Sequence, residues 1–245
     1  FWFKEPTKIL DKSSPPFYKW FEDGVTNTCY NALDIHIDQG RGKKTALIYD
    51  SPITGNKSHL SYEELRSKVS KFAGALRAQG TEKGDRIIIY MPMIPEAVIA
   101  MLACARIGAI HSVVFGGFAS NELASRIDDS KAKILVTASC GFEPGRTVEY
   151  KPLVDEAIKI ANHKIEKTIL FQRPGNEVKL SAPSEVSWEE VVSIAEDADC
   201  VEMSSNEFAY ILYTSGTTGT PKGIVRDVGG HIVALKWTMK NIYNI

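Results

Sequence analysis

The chain has 245 residues, of which 44% are hydrophobic and 24% charged, as in ordinary globular proteins. Lysine and arginine number 29 against 30 acidic residues, so the formal net charge is -1. This balance indicates neither a basic nucleic-acid-binding face nor an acidic tail. The function must therefore be read from local motifs.

The start of the chain lacks the basic and apolar segments of a secretory signal. Residues 87–105 are strongly apolar, but Pro92, Pro95 and Glu96 interrupt them, which favours a buried strand and helix over a membrane span. We expect a cytoplasmic protein, or one of the mitochondrial matrix if a presequence has been removed. The chain has no initiator Met, which suggests a fragment.

The four cysteines are spread along the chain, without a C-x-x-C pair or a histidine cluster. This spacing predicts no zinc site, and it favours a reducing compartment.

Residues 1–60 are rich in aromatic and turn-forming residues and are interpreted as an irregular lead-in segment. Residues 61–245 form a second region, in which Ser61 and Glu64 make a capping box and Gly80 ends the first helix. A second capping box is predicted at Ser187 and Glu190. The predicted helices are 61–80, 95–107, 120–128, 150–163 and 187–195, and the predicted strands are 85–90, 109–115, 133–137, 168–172 and 208–213.

Apolar strands alternating with amphipathic helices predict an α/β fold with a parallel sheet covered on both faces. Ligands of such sheets bind beyond the carboxyl ends of the strands. Two loops are therefore candidates, one after Phe115 and one after Tyr213.

The loop after Tyr213 combines hydroxyls, glycines and a lysine, which suits a polyphosphate. It is not a Walker A loop, because Pro221 precedes the lysine and Gly223 follows it. A flexible Gly/Thr linker is the alternative, but it would need neither the buried strand nor the Pro-Lys-Gly ending. The candidate phosphate-binding residues are Thr214, Ser215, Gly216, Thr217, Thr218, Gly219 and Lys222.

This segment resembles the signature loop of the adenylate-forming (AMP-binding) superfamily. The resemblance implies the amino-terminal part of a large layered domain of αβαβα type, with ATP and Mg²⁺ as cofactors. It also implies that the loop holds the β- and γ-phosphates and that Lys222 is catalytic.

A second stretch, Val113-Val114-Phe115-Gly116-Gly117-Phe118 followed by Arg126-Ile127-Asp128-Asp129-Ser130, resembles the acetyl-CoA synthetase branch, which adds CoA as a ligand. The departure is Glu143, where relatives acting on acetate often have arginine. A plain structural turn at Gly116 and Gly117 is an equal alternative. The resemblance implies CoA contacts at Phe115, Gly116, Gly117, Glu143, Pro144, Gly145 and Arg146.

A third stretch places Arg226-Asp227 before Gly229 and Gly230, as in the propionyl-CoA synthetase group. His231 is interpreted as a structural histidine rather than a base. Core positions, rather than an acyl pocket, are predicted for Trp237, Met239 and Tyr243.

Together these features imply an acid–thiol ligase that joins propionate to CoA through an acyl-adenylate. The alternatives are an acetate–CoA ligase and, from another class, a non-catalytic nucleotide-binding module. A carrier-protein adenylation domain is disfavoured by the Phe-Gly-Gly stretch. The acyl pocket, ribose and magnesium residues of the family are expected downstream, so no metal ligand is assigned and the chain alone is expected to be inactive. Small molecules are the only partners implied.

Overall fold

The computed structural model describes residues 1–214 and 221–244. Two π-helical turns cover Tyr30–Asp34 and Met239–Tyr243. The helices are α1 (Ile35–Asp38), α2 (Tyr62–Ala78), α3 (Pro95–Ile107), α4 (Ser120–Ser130), α5 (Tyr150–Ile160), α6 (Trp188–Ile194) and α7 (Val228–Thr238). The strands are β1 (Leu10–Asp11), β2 (Lys19–Trp20), β3 (Val25–Thr26), β4 (Thr45–Ser51), β5 (Asn56–Ser61), β6 (Arg86–Met91), β7 (Ile110–Phe115), β8 (Ile134–Ala138), β9 (Cys140–Glu143), β10 (Arg146–Glu149), β11 (Lys167–Phe171), β12 (Glu185–Ser187), β13 (Met203–Ser204), β14 (Phe208–Thr214) and β15 (Lys222–Asp227).

Seven strands form the main sheet, in the order β12-β11-β8-β6-β7-β14-β15. Every neighbouring pair is parallel except β14 and β15, which are antiparallel. This arrangement confirms the predicted α/β class with a mostly parallel sheet. Among the residues described, no helix has the length and apolar character needed to cross a membrane.

Both faces of the sheet centre are covered, which explains why its strands are apolar without alternation. Ile87 and Ile89 face the core formed with α2, α3 and α6, whereas Ile88 and Tyr90 face α4 and α5. All four side chains are fully buried. Complete burial of an aliphatic side chain contributes about 1.5–3 kcal/mol, so the centre of the sheet supplies much of the stability.

Local signals place several helix ends where they were predicted. Ser61 and Glu64 form the complete capping box before α2. Helix α3 starts at Pro95 and ends before Gly108, which adopts the left-handed conformation with φ 75°. The box before α6 is half formed, because Glu190 N–H donates to Ser187 Oγ (3.4 Å) while the Ser187 hydroxyl donates to Glu189 (2.8 Å).

The lead-in segment is more regular than predicted, because it ends in the β4–β5 hairpin. Leu47 and Tyr49 of β4 pack against the core, whereas the intervening Ile48 is exposed. This is the alternation of a half-buried strand. Gly55, with φ 69°, lies in the turn between the two strands.

Several further strands were not predicted, including short β12 and β13. Strands β9 and β10 form a hairpin around Pro144 and Gly145, where Gly145 supplies the positive φ (76°) that the two-residue turn requires. Residues 222–227 were predicted as parts of functional motifs but not as a strand. They form β15, which pairs with β14 at the edge of the sheet.

The core positions predicted at the end of α7 and in the turn after it are wrong. Trp237 is 61% exposed, Met239 is 47% exposed and Tyr243 is 63% exposed. The buried residues of α7 are Val228, Gly229 and Ile232, all in its first half. Helical spacing identifies residues that share a face, but that face lies against the protein only at the start of this helix.

Candidate active site

The two candidate loops leave the same edge of the sheet. Strands β7 and β14 are adjacent and parallel, with Tyr210 opposite His111 and Ile211 opposite Ser112. Their carboxyl ends therefore lie side by side, at Phe115 and Thr214. This is the edge at which α/β sheets bind ligands.

Two of the predicted phosphate-binding residues, Thr214 and Lys222, are described by the structure. Thr214 ends β14, Lys222 begins β15, and the two are direct partners in the antiparallel pair. Their Cα atoms are thus about 5 Å apart, and both residues are exposed. The predicted residues Ser215, Gly216, Thr217, Thr218 and Gly219 lie outside the described residues.

The turn after β7 exposes an aromatic pair at its surface. Phe115 is 67% exposed and Phe118 is 38% exposed, and their ring centroids lie 5.6 Å apart in an edge-on arrangement. Tyr90, on the neighbouring buried strand β6, fixes this turn, because its hydroxyl donates to the Phe118 carbonyl oxygen at 2.7 Å. An exposed ring at this position could stack on a purine.

Gly116 has a structural reason to be glycine. A Cβ at this position would overlap the Tyr150 hydroxyl and lie 2.9 Å from the Met91 carbonyl oxygen. A Cβ at Gly141 would lie 2.6 Å from the same hydroxyl. The buried Tyr150 ring thus joins the turn after β7 to the β9–β10 hairpin, a contact that the sequence analysis missed. The sequence offered one signal for this contact, a tyrosine at the predicted start of a helix together with Gly141, to which no role was assigned.

The predicted CoA-side loop at residues 143–146 is the tip of that hairpin. Arg146 does not stand alone, because its Nε donates to Glu143 Oε2 at 2.7 Å and its Nη2 lies 2.6 Å from the same oxygen. The Arg146 side chain is 69% exposed and the Glu143 side chain 40% exposed. Glu143 therefore pairs with the arginine for which a CoA contact was predicted.

The residues that suggested propionate have structural roles. Asp227 caps α7, where its carboxylate accepts from Gly230 N–H at 3.2 Å. A Cβ at Gly230 would lie 2.7 Å from that carboxylate, and a Cβ at Gly229 would lie 2.5 Å from Ser205 Oγ and overlap Ser205 Cβ. Helix capping and close packing thus account for the aspartate and both glycines.

His231 makes the contacts expected of a structural histidine. Its Nε2 lies 3.0 Å from the Tyr210 hydroxyl, and the two rings meet edge-on. Burial, followed by the nearby Arg226 charge, lowers the pKa of His231. Tyr210 lies four residues before Thr214 on β14, about 13 Å along the strand, so this histidine is remote from the phosphate loop.

A partly buried cluster of Cys29, Asp34 and Cys200 has the spacing of metal ligands, with the three ligand atoms within 4.8 Å of one another. Arg106 Nη1, however, lies 2.8 Å from Asp34, 3.1 Å from the Cys200 sulfur and 3.5 Å from the Cys29 sulfur. A hydrogen bond with Cys29, followed by burial, raises the pKa of the Cys200 thiol. A resident guanidinium paired with Asp34, beside a Cys200 thiol that stays protonated, fits a structural ion pair rather than a metal site.

Comparison with protein families finds two matches. The family described as "AMP-binding enzyme" matches residues 36–244, and the one described as "Acetyl-coenzyme A synthetase N-terminus" matches residues 1–32. Together the two matches extend over nearly the entire chain.

Among curated proteins, the mitochondrial acyl-CoA synthetase short-chain family member 3 of Rattus norvegicus is 54% identical over 245 residues, covering 100% of this chain and 36% of the relative. The Homo sapiens protein of the same name is 53% identical with the same coverage. The acetyl-coenzyme A synthetase of Streptomyces coelicolor is 44% identical over 249 residues, covering 100% of this chain and 37% of the relative. The chain thus spans little more than a third of the length of these relatives.

Among solved structures, the acetoacetyl-CoA synthetase from Streptomyces lividans superposes with a TM-score of 0.88 at 24% identity. The match covers 100% of this chain and 37% of that one. At this identity the likeness shows the shared fold alone.

Proposed function

The chain belongs to the AMP-binding enzyme family, and on that premise we propose that the protein containing it is an ATP-dependent short-chain acyl-CoA synthetase. The relatives named as short-chain acyl-CoA and acetyl-CoA synthetases, which match the entire chain, support this proposal.

The observation that carries the proposal is the position of Thr214 and Lys222. They stand opposite each other where β14 and β15 meet, beside the turn that follows β7. A phosphate chain that extended from this edge would receive a hydroxyl donor and a full positive charge. Among the residues described, no carboxylate makes an ion pair with Lys222.

In the first half-reaction, a carboxylate oxygen of the acid attacks the α-phosphorus of ATP, and the bond to the β-phosphate oxygen breaks. Diphosphate leaves, and negative charge grows on its bridging oxygen. Lys222 and the Thr214 hydroxyl would stabilise that charge. Mg²⁺ would arrive with ATP, since phosphate oxygens and water are its usual ligands.

In the second half-reaction, the CoA thiolate attacks the acyl carbonyl carbon and AMP leaves. We assign the nucleotide end of CoA to the exposed edge formed by Phe115, Gly116 and Gly117 and by the hairpin tip from Glu143 to Arg146. Tyr150 contacts both segments, so one rigid side chain would align the two parts of this surface.

We propose propionate as the acid, with acetate as the alternative. The resemblance at Arg226-Asp227 supports propionate, whereas the acetyl-CoA synthetase relatives support acetate. Since Asp227 serves as a helix cap, the choice must be made by assay. We also propose the mitochondrial matrix rather than the cytoplasm where the source cell has mitochondria, because several relatives are named as mitochondrial.

The test is acid-dependent exchange of labelled diphosphate into ATP by the full-length protein, with acetate, propionate, butyrate and octanoate compared. Lys222→Ala should slow this exchange by about 100-fold, the effect of removing one charged donor at such a site. Thioester formation from supplied acyl-adenylate should change far less. Lys57→Ala is the matched control, because Lys57 is an exposed lysine of a distant hairpin.

Exchange without any acid dependence would reject the synthetase. Equal slowing of both half-reactions in Lys222→Ala would reject the role of Lys222. A clear preference for acetate or octanoate would replace propionate as the substrate. If the protein binds ATP but catalyses neither half-reaction, the non-catalytic nucleotide-binding module becomes the better explanation.

A further inference from the structure

Helix α4 contacts both of the loops that the proposed function requires. It begins at Ser120, directly after the turn at residues 116–119, and two of its side chains reach the end of β14. These are Arg126 and Asp129. The mechanism described above uses neither, although Arg126 is a buried charge.

Arg126 lies between one aromatic ring from each loop. Its guanidinium carbon is 5.0 Å from the centroid of the Phe118 ring and 5.3 Å from that of the Tyr213 ring. A cation over an aromatic face is attracted by the ring quadrupole, and the attraction strengthens when water is excluded. The Arg126 side chain is only 7% exposed, so both contacts are formed away from solvent.

The charge of Arg126 is balanced within α4 itself. Its Nη1 donates to the backbone oxygen of Glu122 at 2.6 Å and to the Glu122 carboxylate at 2.7 Å. These bonds fix the guanidinium on the helix. The two rings therefore pack against a cation whose position α4 determines.

A second contact holds the same strand end. The Tyr213 hydroxyl donates to Asp129 Oδ2 at 2.6 Å. Burial, followed by this hydrogen bond, raises the pKa of Tyr213, so the hydroxyl stays protonated as a donor. Tyr213 immediately precedes Thr214, which is the residue assigned to the phosphates.

We propose that Arg126 is a positioning residue that sets the spacing between the turn after β7 and the end of β14. The inference rests on the proposed function, in which one loop serves CoA and the other serves ATP. Phe118 is already held from below by Tyr90. Tyr213 is likewise held by Asp129, so each segment keeps one anchor of its own. Loss of Arg126 would remove the contact that the two segments share, so both could shift relative to α4 and drift apart. A displacement of about 1 Å at a reacting group can cost about 100-fold in rate.

The experiment uses the full-length protein and four substitutions with different expected patterns. Arg126→Met should slow both half-reactions, each by about tenfold or more, because it releases both loops. Tyr213→Phe should slow adenylate formation by several-fold and leave the KM for CoA unchanged. Phe118→Leu should raise the KM for CoA with little change in adenylate formation. Arg126→Lys keeps a cation between the rings and should recover part of the loss.

Arg86→Met is the matched control. Arg86 donates to the carbonyl oxygens of Ser130 and Lys131 at 3.0 Å each, so it supports the other end of α4 without contacting either loop. If Arg126→Met lowers Tm as Arg86→Met does but leaves both half-reactions at the wild-type rate, the positioning role is wrong. Slowing of only one half-reaction would also overturn it.

Amide hydrogen exchange supplies a readout that does not depend on activity. In Arg126→Met, exchange should accelerate both at residues 116–119 and at residues 213–214, whereas Arg86→Met should accelerate neither. Unchanged exchange in these two segments would overturn the proposal. A wild-type protein inactive with every acid would reject the synthetase alone, because the exchange data would still decide whether Arg126 couples the loops.

Discussion

The centre of the seven-stranded sheet and its β14–β15 edge both contain runs of apolar residues, but they differ in how these residues are covered. Residues 87–90 of β6 are fully buried between two layers of helices. At the edge, Leu212, Ile224 and Val225 are 40–48% exposed. An apolar segment therefore predicts a strand, but the packing around it decides whether that strand contributes to a core.

The difference also separates stability from chemistry. Helix α2, which covers the centre, is packed so closely that Gly74 has no space for an added methyl group, whereas the edge carries exposed hydroxyl, aromatic and charged side chains. Substitutions at the centre should change the free energy of unfolding. Substitutions at the edge should change substrate binding and reaction rate. Comparing the two kinds of substitution tests whether stability and chemistry reside in separate regions.

The largest effect is expected at Gly74, in the middle of α2. Helix propensity alone predicts that Gly74→Ala stabilises the protein by about 1 kcal/mol. The structure predicts the opposite sign, because the new Cβ would overlap the backbone oxygen of Glu196. We expect a loss of about 3 kcal/mol in the free energy of unfolding, measured with urea. Ser67→Ala, on the exposed face of the same helix, should change it by less than about 0.5 kcal/mol.

The pH dependence of stability tests the packing of β7, the strand that lies between β6 at the centre and β14 at the edge. Burial lowers the pKa of His111 to about 4, against about 6.5 in an unfolded chain. The unfolded state therefore binds the proton first as pH falls, so the free energy of unfolding decreases between pH 6.5 and 4. The loss is at most about 3 kcal/mol.

His111→Phe should flatten this pH dependence, because it removes the titrating ring and keeps an aromatic partner for Tyr210. The exposed His59 provides the control, and His59→Phe should leave the slope as in the wild type. His36 and His231, whose pKa values are also lowered by burial, would contribute to the slope that remains. An unchanged slope in His111→Phe would show that this ring is not the source.

Substitution of Gly116 tests whether a single residue contributes both to stability and to CoA binding. Gly116→Ala should destabilise the protein by about 2 kcal/mol, because its Cβ would overlap the Tyr150 hydroxyl. Adding Tyr150→Phe removes that oxygen and should restore part of the stability. Gly116→Ala should also raise the KM for CoA. If the double variant restores the wild-type KM, packing against Tyr150 is the reason that this position is glycine. If the KM stays high, CoA itself requires the close approach.

The smallest change in stability is expected at the hairpin tip. Glu143→Gln breaks an exposed ion pair and should alter the free energy of unfolding by less than about 1 kcal/mol. It also releases Arg146, so the KM for CoA of the full-length enzyme should fall by several-fold. Asp50→Asn breaks the comparable Lys57–Asp50 pair of the β4–β5 hairpin and should leave this KM unchanged.

Part of the candidate site was predictable because its signals are local. The order of strands and helices and the rule for carboxyl ends placed the loops after Phe115 and Tyr213 at one edge. The Tyr150 contact, the Glu143–Arg146 pair and the position of Arg126 were not predictable. Each depends on side chains whose neighbours are chosen by the fold rather than by spacing along the chain.

The sequence by itself determined the α/β class, the ends of α2 and α3 and the residue types of the two loops. Capping residues, glycines and runs of apolar residues act over a few positions, so their physics is contained in the local sequence. Only the tertiary structure decided that Gly74 and Gly116 cannot bear a side chain, that β15 closes the edge, and that Trp237 is exposed. Packing brings distant segments together, and the space left between them cannot be read from either segment alone.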